Sequence, residues 1–136
     1  MPAIPPEEVF DKRVALIQDD HETLGRLVTA AFDTLGAADK AIAGETIEAL
    51  YRSNKVHTYS ENLLMRLYRY PDRALHGAEH VTLDRLGTEV WERFRADDVE
   101  GCRERLEQYA AALENHLNTF DRKLGSFLDE VGAVVK

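Results

Sequence analysis

Apolar residues recur at alternating steps of three and four from Phe10 to Lys136, with little β-branched alternation. That spacing predicts helices packed along one buried face. Four such seams can be traced. The first runs through Val14, Ile17, His21, Leu24, Val28, Ala31 and Leu35, and the second through Ala43, Ile47, Leu50, Asn54, His57, Glu61, Leu64 and Tyr68. The third holds His76, His80, Leu83, Gly87, Val90 and Phe94, and the fourth Val99, Cys102, Leu106, Tyr109, Leu113, His116 and Phe120. Three breaks separate them: Gly36 to Asp39, Tyr70-Pro71-Asp72, and Asp97 with Glu100 at capping-box spacing. The pattern predicts helices over about 11–35, 39–69, 72–95 and 97–132, preceded by an extended arm over 1–10 that carries Pro2, Pro5 and Pro6. Short connections make neighbours antiparallel, so the expected fold is all-α, an up-down-up-down four-helix bundle forming a single domain over 1–136.

The seams hold an anomaly. All five histidines of the chain lie on inward positions, as does Glu61, and Asp121 stands one residue off the fourth seam. A buried polar group without a partner costs about 1–3 kcal/mol, and a buried charge costs more. A metal would satisfy them together, since bundle-core sites are built from facing helices. His57 and Glu61 are four apart, which places them about 40° apart around the helix and about 6 Å along it. His76 and His80 repeat that spacing, whereas His116 and Asp121 are five apart, about 140° on a regular helix. A shared centre therefore requires a π-bulge or loosened turn there. Five imidazoles and two carboxylates exceed the four ligands of tetrahedral zinc. Two octahedral ions with bridging carboxylates would use them all. Imidazole with carboxylate suits iron, and by ligand type zinc, copper or manganese as well.

Composition narrows the partners. The net charge of −8 argues against nucleic acid and anionic membranes, which attract basic patches. No apolar run approaches a membrane span, so no membrane insertion is expected. The single cysteine, Cys102, and a first segment without a signal-peptide pattern make a cytoplasmic location the expectation. Cys102 and Trp91 read as core residues, and the Glu/Arg alternation over 84–107 as a solvated face.

At this point the sequence resembles the hemerythrin family in its bacterial single-domain form. The resemblance rests on His21 within Asp19-Asp20-His21, His57-x3-Glu61 with Met65 following, Tyr70-Pro71, His76-x3-His80, and His116-x4-Asp121, and covers about residues 10–125. It implies two iron ions, one held by His76, His80 and His116, the other by His21 and His57, bridged by Glu61, Asp121 and an oxo or hydroxo ligand. It further implies that dioxygen, or another small diatomic or anionic ligand, is taken up at the iron with two histidines. The function implied is an oxygen carrier, store or supply, serving an oxygen-using or electron-donor protein partner. Leu24, Thr58, Tyr109, Ala112 and Leu113 are the expected pocket residues; core packing is the plain reading of Leu24, Tyr109 and Leu113.

The chain departs from the family where an aromatic residue often follows the second-helix histidine (here Thr58), where a second acid often follows the bridging glutamate (here Asn62), and where tryptophan often precedes the fourth-helix histidine by four (here Ala112). Smaller walls imply a wider, wetter pocket. A di-iron oxidase or peroxidase, or a nitric-oxide-reactive enzyme, therefore stands as the alternative, with an oxygen or redox sensor module as a third reading.

Overall fold

A computed structural model describes residues 6–37 and 39–135, with side chains described over 21–37 and 39–131. The elements are α1 (Pro6–Leu35), α2 (Lys40–Leu67), α3 (Arg73–Arg95) and α4 (Val99–His116), then a π-helical turn (Leu117–Asp121) and α5 (Arg122–Val135). Helix α5 continues the line of α4, so the fold is an all-α four-helix bundle whose fourth helix is interrupted once. Each helix packs on the next in sequence, and α1 closes the bundle against α4 and α5.

Helix α1 begins at Pro6 rather than near residue 11, which corrects the extended arm over 6–10. Proline suits a first helical turn, because its fixed φ is already helical and its missing N–H would have had no partner there. Residues 1–5 of that arm, and the seam side chains Val14 and Ile17, lie outside what is described.

The breaks work by capping chemistry. The Asp39 side chain accepts from the backbone N–H groups of Ala41 and Ile42 to start α2. Helix α2 ends with Arg69 in the left-handed region (φ 54°), its N–H bonded to Arg66 O and that of Tyr70 to Met65 O. This is a Schellman ending, and the buried Tyr70 ring packs in one apolar cluster with Met65. Pro71 follows at a position that cannot prolong the helix. The third break differs from the sequence reading. Asp97, with φ 58°, closes α3 by a second Schellman ending, and Asp98 is the residue whose carboxylate caps α4 through Gly101 N–H at 2.9 Å. The Asp97–Glu100 spacing thus marked the junction one residue early.

The seams face inward. Leu24, Ala31, Leu35, Ile47, Leu50, Leu83, Val90, Cys102, Leu106, Tyr109 and Leu113 are buried in one apolar cluster. A second cluster of Leu64, Met65, Tyr70, Leu124 and Leu128 lies farther along the bundle. In chain order, the histidine and carboxylate positions of α2 and of the fourth helix fall between residues of these two clusters. The polar layer is therefore closed above and below by apolar packing.

Candidate metal centre

Four helices deliver the seven predicted residues to one place. His57, Glu61, His76, His80, His116 and Asp121 are all buried, and His21 is the most open, with its side chain 24% exposed. Donor atoms of His57, Glu61, His80, His116 and Asp121 all lie within 4.8 Å of one another. His21 and His76 join them by touching both carboxylates.

The turn at 117–121 explains how Asp121 takes part. A regular helix would carry it well around from His116, but the backbone there is π-helical, as the five-residue spacing required. The extra residue rotates the register: Phe120, read as a seam position, is half-buried, while Asp121, Leu124 and Leu128 turn inward. Phe120 instead lies flat against the His116 ring at 5.6 Å between centroids and meets His76 edge-on.

The carboxylate contacts divide the histidines into two sets. Glu61 Oε1 stands 3.0 Å from His76 Nε2, 2.9 Å from His80 Nε2 and 3.8 Å from His116 Nε2. Glu61 Oε2 stands 3.3 Å from His21 Nε2 and 3.5 Å from His57 Nε2. Asp121 repeats the division, with Oδ1 at 3.0 Å from His76 and 2.9 Å from His116, and Oδ2 at 2.9 Å from His21 and 3.4 Å from His57. Each carboxylate turns one oxygen to a group of three imidazoles and the other to a group of two.

Whether such a set suits metal can be tested on its orphaned atoms. His57 Nε2, His116 Nε2 and both Asp121 oxygens are buried without a hydrogen-bond partner, although each has an opposing donor atom within 2.9–3.5 Å. Short separations without hydrogen bonds leave these donor atoms free for a shared cation. Neighbouring donors on an octahedral ion with bonds of about 2.1 Å stand about 3.0 Å apart, close to these spacings. The donor set fits.

As protein groups alone, the cluster is strongly polarised. Burial opposes charge on Glu61, but His116, His21, His76 and His80 hold its carboxyl well below the usual range. Burial also opposes charge on Asp121, and His116, His21, His57 and His76 likewise depress it. The carboxylates overcome burial at His21 and His116, each pushed up to about 9, and they raise His76. At His80 burial prevails over Glu61, aided by repulsion from His76 and His116, and its value falls.

A polar layer adjoins the centre. Tyr109 donates its hydroxyl to Asn54 Oδ1 at 2.7 Å, and Asn54 Nδ2 donates to Asp84 Oδ1 at 2.6 Å. The Thr58 hydroxyl lies 3.2 Å from Asp84 Oδ1 and 3.2 Å from Lys55 O. Among the predicted pocket residues, Leu24, Tyr109 and Leu113 are core members and Ala112 packs against them. Thr58 faces a surface groove of 480 Å³ with Lys55, Val56, Tyr59, Asn62 and Asp84. Sequence reasoning placed Asn54 inward without a role, and it missed Asp84 and the grip of Asn62 on His80, whose Nδ1–H donates to Asn62 Oδ1 at 2.8 Å. The signal available was a polar residue three before His57, four after His80, and directly after Glu61.

The fold and site define a helical bundle with a histidine–carboxylate centre at its core. Two relatives match over most of their length. The bacteriohemerythrin of Methylococcus capsulatus is 27% identical over 119 residues, covering 88% of this chain and 91% of that protein. The bacteriohemerythrin of Aquifex aeolicus is 27% identical over 103 residues, 74% of this chain and 79% of that protein. No protein-family model matches the chain, and no solved structure matches it significantly. The chain is thus similar to bacteriohemerythrins over most of its length, which supports a hemerythrin-like assignment.

Proposed function

We propose that the chain is a non-haem di-iron protein that binds dioxygen reversibly, as a carrier, store or supply. The observation that carries this reading is the division of the carboxylate oxygens, one of each toward His76, His80 and His116, the other toward His21 and His57. Glu61 and Asp121 would hold two ions together with the two sets of histidines, and the likeness to bacteriohemerythrins supports iron as the metal. The bound irons would supply the electrons for reversible uptake of dioxygen.

The chain's own residues would do the rest. Three imidazoles complete one side of the centre, leaving the two-histidine side with fewer protein donors. His21 on that side is also the member most open to solvent. Leu24 and Leu113, both buried, exclude water from the adjoining core. The Thr58 hydroxyl is within reach of Asp84 and a helix carbonyl, partners outside the cluster. No helix among the described residues is long and apolar enough to cross a membrane. A reducing cytoplasmic setting suits the buried thiol of Cys102, which burial pushes up to about 11 and so makes inert.

The test is to load the protein with iron, reduce it without air, admit oxygen and follow the visible spectrum. A band that appears with oxygen and vanishes under vacuum supports carriage. Rapid loss of that band with steady consumption of a reductant supports the oxidase or peroxidase alternative. A purified protein that takes up no iron defeats both.

A further inference from the structure

A histidine that ligates through Nε2 must carry its proton on Nδ1, and a partner at Nδ1 selects that tautomer and fixes the ring plane. Nδ1 of His57, His76 and His116 is buried with no partner among the described residues. His80 differs: its Nδ1 lies 2.8 Å from Asn62 Oδ1, while its Nε2 lies 2.9 Å from Glu61 Oε1 on the opposite edge of the ring. Glu61 and Asn62 are consecutive on α2, so they leave the helix about 100° apart. One side chain therefore enters the centre while the other meets the His80 ring from behind. Asn62 is half-buried and also lines the groove of Lys55, Thr58 and Asp84, so it stands between that ring and solvent.

We propose that Asn62 is the positioning residue of the three-histidine side: it holds His80 as the Nδ1–H tautomer with its Nε2 lone pair turned to the centre. The proposal rests on the di-iron reading above. The acceptor is a neutral amide. A carboxylate in its place would raise the basicity of the imidazole, so Asn62 orients His80 without adding negative charge to a centre that already holds Glu61 and Asp121.

The experiment compares wild type with Asn62→Leu, Asn62→Ala and Asn62→Asp. Iron(II) affinity is read anaerobically against a competing chelator, and the His80 Nδ1–H is read by proton–nitrogen NMR of the zinc-loaded protein. The expected result is that the leucine and alanine variants keep the unfolding temperature of the metal-free wild type to within a few degrees. They should bind one of the two irons about 10–100-fold more weakly and lose the slowly exchanging Nδ1–H signal. The aspartate variant should restore both affinity and signal and shift the reduction potential downward. Leucine and alanine variants that bind both irons like wild type and keep the protected Nδ1–H would overturn the role of Asn62, with the di-iron reading intact. Wild-type protein that binds no iron would overturn the di-iron reading itself, before any variant is compared.

Discussion

Replacing Glu61 by leucine in the metal-free protein separates the electrostatics of the cluster from its use. Glu61 is fully buried and its two oxygens stand 2.9–3.8 Å from all five imidazoles. Removing one partner of a buried ion pair costs about 3–5 kcal/mol. Asp121 still faces His21 and His116 after the change and leaves them a partner, so the lower end, about 3 kcal/mol, applies. For a chain of 136 residues, about 4 °C is lost per kcal/mol, which gives a fall of about 12 °C in Tm. The effect should depend on pH in a definite direction. His21 and His116 are raised from 6.5 to about 9, so the stability they contribute is complete below about 6.5 and lost as pH rises through 9. Glu61 is depressed, so its contribution is present above its ordinary value of 4.5 and lost as pH falls through its lower folded value. The cost of Glu61→Leu should therefore be greatest near pH 6 and shrink steadily toward pH 10, where neutral imidazoles surround two anions. The assay is thermal unfolding followed by circular dichroism at pH 6, 8 and 10 in the presence of a chelator. A cost that is the same at all three values would refute the reasoning, because burial of leucine or loss of packing has no such dependence.

Other perturbations probe the remaining parts. Ligation requires neutral imidazole, so iron uptake must displace protons from His21, His76 and His116; apparent affinity should rise between pH 6.5 and 9, and a competition titration showing none of this would count against ligation by those residues. Tyr109→Phe leaves Asn54 Oδ1 without its buried donor and should lower stability by about 1–2 kcal/mol, measured by urea unfolding, with iron stoichiometry unchanged. His57→Ala should lose the iron on the two-histidine side and keep the other, a stoichiometry of one by metal analysis; two irons retained would contradict the division of ligands.

The sequence exposes the inward positions of this bundle because apolar spacing and ligand spacing share one period. His57 with Glu61 and His76 with His80 obey the same four-residue step as the leucines around them, so one reading of the seam finds both. The start of α1 was obscured by Pro6, which resembles a breaker until it is seen at a first helical turn. The Asp97–Asp98 junction was misread because two consecutive aspartates present the same capping signal, and backbone φ decides between them. Contacts made sideways between helices were legible only as polar residues near the histidines and Glu61, without their partners. Asn54 with Asp84 and Tyr109, and Asn62 with His80, depend on which flank of a helix faces which neighbour, and a single-helix period carries no such information.

Asp121 shows why its misfit to the period was the informative feature. A helix of unbroken α geometry would carry the apolar seam onward from His116 through Phe120. The π-helical turn adds one residue, moves Phe120 to the flank and advances the seam to Asp121, Leu124 and Leu128. The same turn thus places a second carboxylate beside Glu61, keeps α5 in register with the apolar cluster beyond it, and supplies Phe120 to pack against the ring of His116. Bringing Asp121 inward by side-chain reach alone would have left Leu124 and Leu128 a third of a turn out of place. The five-residue step is therefore a condition for having both a second inward carboxylate and a packed end to the bundle.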